Sequence, residues 1–243
     1  MKIAIISDIH ANWQALEAVL EDIKNQKCEK ILCLGDLAMA GPEPVKVINF
    51  VKKQNWTLIQ GNTDKMIAEF TPEIIDSMKD KFPVMANALL DDIKIISDEQ
   101  KLFLKNLPEK QSLNIEGIKI LMVHGSPRRN NEDILPDTPI KELEEIIKGV
   151  DEDLIFCGHT HVPCGFQTNS KKTIVNVGSV GRPMTSNPQS CYVIADINNG
   201  SFSIEHRLID YDRETASKIM KDRNFDGAEK LAEMILTPKD RHV

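Results

Sequence analysis

The chain of 243 residues predicts an α/β protein. Three observations lead there. Strand and helix patterns alternate through the first sixty residues. A helical stretch with few strand candidates follows. Short strands then return in the second half. Strand–helix–strand–helix–strand is the pattern of a parallel sheet with crossover helices.

Residues 2–7 form the first expected strand, an apolar run that stops at Ser7-Asp8. Residues 12–25 form a helix, because Trp13, Leu16, Val19, Leu20 and Ile23 share one face at helical spacing. A second strand over 30–34 ends at Gly35-Asp36, and a helix is expected over 44–54. A third strand over 56–60 ends at Gly61-Asn62. Residues 65–107 form a helical insert over one end of the sheet, with helices at 71–79, 84–96 and 98–106. Strands at 111–115 and 118–124 flank the hairpin turn Glu116-Gly117. A helix over 140–148 precedes a buried strand at 154–158, which runs into His159-Thr160-His161. Strands at 164–169, 173–177, 190–196 and 201–210 suggest a second, largely antiparallel sheet. A helical tail over 212–234 and the polar residues 238–243 complete the chain. The expected organisation is one domain over 1–243, with the insert as an excursion.

Apolar residues at 41% and charged residues at 28% supply a core and argue against disorder. The net charge of −7 and the lack of a basic stripe disfavour a standing duplex nucleic acid partner. A small anionic substrate remains compatible, because bound cations reverse the local field. The five cysteines fit no zinc ribbon, and Cys33 and Cys157 fall in apolar runs as core thiols. No apolar run reaches the roughly 20 residues of a membrane span, and Asp8 interrupts what could be a leader. A cytoplasmic location without membrane partners is expected.

The strand ends carry the chemistry. Asp8 and His10 follow the first strand, Asp36 the second and Asn62 the third. His124 ends a later strand, and His159 and His161 end another. Ligands of open α/β sheets bind at the carboxyl ends of the strands, so these seven residues converge on one rim. In an extended segment, residues i and i+2 point to one side. Asp8 with His10, and His159 with His161, are therefore expected to act as pairs. Oxygen and nitrogen donors without sulfur suit Mn, Fe, Zn, Co or Ni better than Ca or Mg. Seven ligands are too many for one catalytic ion and suit two ions sharing a carboxylate.

The segments SDIHAN, GD, GNTD, VHGS, GHTH and NVGSVGRP occur in this order over residues 7–183, about three quarters of the chain. Together they resemble the calcineurin-like metallophosphoesterases, most closely the small bacterial and archaeal phosphodiesterase branch. The resemblance implies a four-layer α/β/β/α sandwich of two packed mixed sheets, with the helical insert over the metal site. It implies one metal on Asp8, His10, Asp36 and His161, and another on Asp36, Asn62, His124 and His159, with Asp36 bridging. The cofactors are two divalent first-row ions, manganese first among them. Two such ions, roughly 3.5–4 Å apart, clamp both oxygens of an in-line displacement at phosphorus and acidify water. A bridging hydroxide would then attack directly, with Asp8, Asp36, Asn62 and His124 as the catalytic set. The expected activity is that of a phosphoesterase, with a phosphodiester preferred. Hydrolysis of dinucleoside polyphosphates or of phosphomonoesters is the alternative, and a non-catalytic protein-binding scaffold a minor one.

The chain departs from the family at Thr63, where many members carry a histidine assigned to protonating the leaving group. Threonine is no acid at neutral pH, so esters whose leaving group needs less help are favoured. Asn12, Arg182 and Arg128 are the candidate substrate contacts. Asn12 serves equally as a helix cap, Arg182 lies in a glycine-bearing loop, and Arg128 with Arg129 suits a solvated loop. Asp64 suits a partner to a ligand or the start of the next helix. Met66, Met78 and Met85 could line a substrate entrance or fill gaps. His206 and His242 have no companions and receive no role. The expected partner is a small phosphate ester or nucleotide, and the oligomeric state is open, a homodimer included.

Overall fold

The computed structural model describes residues 1–241, so His242 lies outside the described residues. The chain runs β1 (Lys2–Ile6), α1 (Trp13–Asn25), β2 (Lys30–Cys33), α2 (Pro44–Val51) and β3 (Thr57–Leu58). Four helices follow: α3 (Asn62–Ala68), α4 (Pro72–Met78), α5 (Pro83–Ile95) and α6 (Asp98–Lys105). Next come β4 (Lys110–Ile115), β5 (Ile118–Val123), α7 (Ile140–Ile146), β6 (Leu154–Cys157), β7 (Cys164–Gln167) and β8 (Thr173–Asn176). The chain closes with β9 (Ser190–Asn198), β10 (Ser201–Ile209), α8 (Arg213–Asp222) and α9 (Ala228–Leu236).

Among the described residues the strands form two sheets, ordered β10-β9-β1-β2-β3 and β4-β5-β6-β8-β7. β1, β2 and β3 are parallel neighbours, as are β5, β6 and β8. The pairs β1–β9, β9–β10, β4–β5 and β7–β8 are antiparallel, so both sheets are mixed. The expectation that the last four strands form one antiparallel sheet is corrected here. β7 and β8 join the second sheet, whereas β9 and β10 join the first. Burial gives the reason. Val193, Ala195 and Ile197 of β9 pack between the sheets, while Tyr192 and Ile194 pack under the helices. A strand apolar on both faces belongs inside a sheet that is covered on both sides.

Alternation along the strands builds four layers. Ile3, Ile5, Leu32 and Leu34 meet Ile120, Met122, Leu154 and Phe156 in the core between the sheets. On the outer side of the first sheet, Ala4, Ile6 and Cys33 pack with Leu16 and Val19 of α1, Ile48 of α2 and Leu231 of α9. On the outer side of the second sheet, Leu121, Val123, Ile155 and Cys157 pack with Leu143 and Ile146 of α7.

The expected single tail helix is two. Asn224 (φ 53°) and Gly227 (φ 102°) take left-handed conformations, which end α8 and turn α9 back against it. Among the described residues no helix is long and apolar enough to cross a membrane.

Candidate metal centre

The centre lies where the loops after β1, β2, β3, β5, β6 and β8 meet. Backbone hydrogen bonds lace these loops together. The Asp8 N–H donates to Gly35 O (3.0 Å) and the His10 N–H to Asp36 O (2.9 Å). The Gly158 N–H donates to His124 O (2.8 Å), and the Gly181 N–H to Asp8 O (3.0 Å). The rim thus draws on both sheets.

The loops are not extended, which corrects the i, i+2 argument. Asp8 (φ 54°), His10 (φ 44°), Asp36 (φ 54°), His159 (φ 65°) and His161 (φ 61°) all sit in the left-handed region. Such conformations in non-glycine residues cost about 1–3 kcal/mol each and concentrate at functional sites. Two glycines make room. A Cβ on Gly61 would collide with Asp36 Oδ1, and one on Gly158 with Ser7 Oγ and Asp8 Oδ2.

Three imidazoles are oriented from behind. His10 Nδ1 meets Met39 O (2.9 Å), His124 Nδ1 meets Leu34 O (2.8 Å) and His161 Nδ1 meets Arg182 O (2.5 Å). A carbonyl only accepts, so each Nδ1 carries the proton and each Nε2 turns a lone pair inward. His10 Nε2 and His161 Nε2 then face each other at 3.1 Å. His124 Nε2 faces Asn62 Oδ1 (3.0 Å) and Asp36 Oδ2 (3.3 Å). Asp8 Oδ1 lies 3.1 Å from His161 Nε2, 3.8 Å from His10 Nε2 and 3.9 Å from His124 Nε2. It is buried and accepts no hydrogen bond. Acceptors crowded against acceptors in a buried site require a cation. Among the described residues two groups have the compactness for it: Asp8 with His10 and His161, and Asp8 with Asp36 and His124.

Where no cation is bound, protons on the imidazoles have to supply the positive charge instead. Burial opposes ionising Asp8, but the charges of His161, His124 and His10 outweigh it and hold the carboxyl well below the usual range. Burial opposes Asp36 likewise, and His124 outweighs it to bring the carboxyl to about 2. Burial opposes charging His124, yet Asp36 and Asp8 raise it to about 10. Burial, then the charge of His161, brings His10 down to about 4.

His159 stands apart from these groups. Its Nε2 lies 3.3 Å from Asp133 Oδ1, while its backbone N–H donates to Asp8 Oδ2 (3.0 Å). The two rings face different partners: His161 lies against His10 (ring centroids 4.8 Å apart) and His159 against His124 (5.4 Å). Asn12 is buried and fully used. Its Oδ1 caps α1 at Ala15 N (3.1 Å), and its Nδ2 donates to Gly181 O (2.9 Å) and Tyr211 Oη (3.3 Å). Its amide is thus taken up by the loop framework, and it is not among the residues that line the cavity over the centre, a correction to its candidacy. Arg128 is also corrected: Glu132 holds it through Nε (3.0 Å) and Nη2 (2.6 Å), with Arg129 alongside (3.0 Å). Arg182 lines the cavity over the centre and forms no ion pair among the described residues.

Sequence reasoning missed Arg241 and Asp133. Arg241 lines the same cavity, bonded to Asp133 (2.7 and 2.9 Å) and to His159 O (3.3 Å). Its position near the chain end gave no signal. Asp64 has both of its expected characters. It sits in the first turn of α3, and its carboxylate accepts N–H bonds from Asp36 (2.8 Å), Leu37 (2.9 Å) and Gly61 (3.0 Å). Thr63 donates its hydroxyl to Ala38 O (3.1 Å) and its N–H to Asp36 Oδ1 (2.8 Å).

The structure is similar to that of hypothetical protein PH1004 from Pyrococcus horikoshii, with a TM-score of 0.86 over 98% of this chain and 99% of that one, at 23% identity. A metallophosphoesterase from Sphaerobacter thermophilus gives 0.79 over 98% and 100%, at 24% identity. These two establish the fold. In sequence, the uncharacterised protein MJ0912 of Methanocaldococcus jannaschii is 33% identical over 238 residues, 91% of this chain and 93% of its own. The family model of the calcineurin-like phosphoesterase superfamily domain matches residues 1–200. With this match and the Asp and His groups at its strand ends, the chain belongs to the calcineurin-like phosphoesterase superfamily.

Proposed function

We propose that the protein is a dinuclear metal-dependent phosphoesterase that prefers phosphodiesters. The observation that carries this is the pair of opposed Nε2 lone pairs of His10 and His161 beside the unpartnered Asp8 Oδ1. One cation would be held by Asp8, His10, Asp36 and His161, the other by Asp36, Asn62 and His124, with His159 at hand. Asp36 Oδ2, 3.6 Å from His10 Nε2 and 3.3 Å from His124 Nε2, supports the bridging role. Divalent ions held there supply Lewis acidity at a phosphoryl oxygen and acidify water; manganese is the first to test.

The chain's own residues do the rest. Backbone carbonyls fix the three imidazoles, and Asp64 fixes the backbone of Asp36. Arg182 is the guanidinium available to orient a phosphoryl anion. Thr63 spends its hydroxyl on Ala38 O, so it offers no proton to a leaving group. That favours esters whose leaving group departs as a stabilised anion. A dinucleoside polyphosphate would need a longer row of cationic contacts than Arg182 and Arg241 provide.

The manganese-loaded protein should hydrolyse bis-p-nitrophenyl phosphate faster than p-nitrophenyl phosphate, Ap4A or cyclic nucleotides. Asp36→Ala should lower turnover by about 10³-fold or more. Monoester turnover far above diester turnover would defeat the diester preference, and full activity in Asp36→Ala would defeat the metal mechanism.

A further inference from the structure

The cavity over the metal centre has a volume of about 410 Å³ and a lining of two unlike kinds. His10, Asp36, Asn62, His159 and His161 of the centre line it, together with Arg182 and Arg241. The helical part of the lining is largely apolar. Met66 comes from α3, Met78 from α4, and Phe82 and Met85 from the start of α5. With Met39 and Met184, five of the chain's nine methionines line this one cavity. Phe82 is 60% exposed, against the usual fate of a phenylalanine. Three separate helical elements thus deliver soft apolar groups to one place beside a phosphate-directed centre.

The wall has little with which to read a sugar. Met66, Met78, Phe82 and Met85 carry no strong donor or acceptor. The Thr63 hydroxyl in the lining is bonded to Ala38 O, and Arg241 is bonded to Asp133. A hydroxyl-rich substituent would lose water there and regain few hydrogen bonds. A flat ring would gain aromatic contact with Phe82 and sulfur–aromatic contact with the methionines.

We infer that this wall is the subsite for the organic substituent of the substrate, and that the substrate class is a phosphoester bearing a compact apolar or aromatic group. This rests on the phosphoesterase reading, with Arg182 taking the anionic oxygen. The wall, rather than the centre, would set specificity.

Binding tests it without turnover. Phenylphosphonate and methylphosphonate share the anion and differ only in the group offered to the wall. Calorimetry on the manganese-loaded full chain should give phenylphosphonate about tenfold or more tighter binding, with the more negative heat-capacity change. Phe82→Ser, at an exposed position, and Phe82→Ser with Met85→Ser should bring that ratio toward one. Leu102→Ser, at an exposed apolar residue outside the cavity, should leave the ratio as it is. Equal affinities in the unaltered protein, or a ratio that survives both wall variants, would overturn the inference. The same ratio is expected in kcat/KM for p-nitrophenyl phenyl phosphate against methyl p-nitrophenyl phosphate. If neither diester is turned over while the phosphonates are still distinguished, the diester reading fails and the apolar subsite stands.

Discussion

Asp64 organises the centre without entering it. Its carboxylate gathers the N–H groups of Asp36, Leu37 and Gly61, and so sets where the Asp36 side chain begins. Burial, then the charge of Asp36, pushes it up to about 7. Asp64→Asn keeps the shape but turns an amide N–H₂ toward backbone donors. Metal affinity should fall about 10–100-fold, and stability by about 1–3 kcal/mol. Metal titration and denaturant unfolding check this; unchanged affinity would reduce Asp64 to a helix-start residue. The same scale explains a limit of sequence reading. Asn12, Arg128 and Arg182 are chemically plausible phosphate contacts as residue types. Only their neighbours show that Asn12 is spent on a cap and Arg128 on Glu132, while Arg182 remains available.

Two elements hold the rim from outside. On α5, buried Asp92 accepts from Met39 N (2.8 Å) and pairs with Arg223 Nη2 (2.6 Å), while Met39 O holds His10 Nδ1. Arg223 also donates to Gly41 O (2.6 Å), which ties the end of α8 to the same loop. Asp92→Ala should cost about 3 kcal/mol, the scale of a broken buried pair, and weaken metal binding through His10. Loss of stability with unchanged metal affinity would separate the two effects. In the loop after β5, Glu132 gathers Arg128, Arg129 and Ser126. The hydrogen bond from Arg128 outweighs burial, and the Glu132 carboxyl falls from its usual 4.5 to about 2. The folded-state value lies below the unfolded one. Its stabilisation is therefore full above about 4.5 and lost as pH falls toward 2. Glu132→Gln should flatten the pH dependence of the melting temperature in that window. A melting curve with the same acid slope as the unaltered protein would contradict this.

At the scale of the whole molecule, the centre is a product of sheet packing. Asp8, His10, Asp36 and Asn62 arrive from the first sheet, and His124, His159 and His161 from the second. Cations that bind this folded arrangement stabilise it by mass action, about 2.7 kcal/mol at a hundredfold excess over Kd. For a chain of this size that is about 5–10 °C in Tm. Calorimetry with chelator, then with restored manganese, should show that loss and recovery. A Tm indifferent to both would mean that the fold holds no ion.

Local patterns in the chain specify the kinds of element, their order through the first half, the strand ends and the donor atoms placed there. These are legible because periodicity and residue chemistry are local: the apolar run at 3–6 and Asp8 and His10 stand within a few residues of one another. The tertiary structure alone decided that β9 and β10 complete the first sheet, that left-handed backbone rather than extended strand aims Asp8 and His10, that His159 turns to Asp133, and that Arg241 reaches the rim. Each of these depends on distances between segments remote in the chain, which are set by register and by the packing of one sheet on the other. No pattern of adjacent residues encodes them.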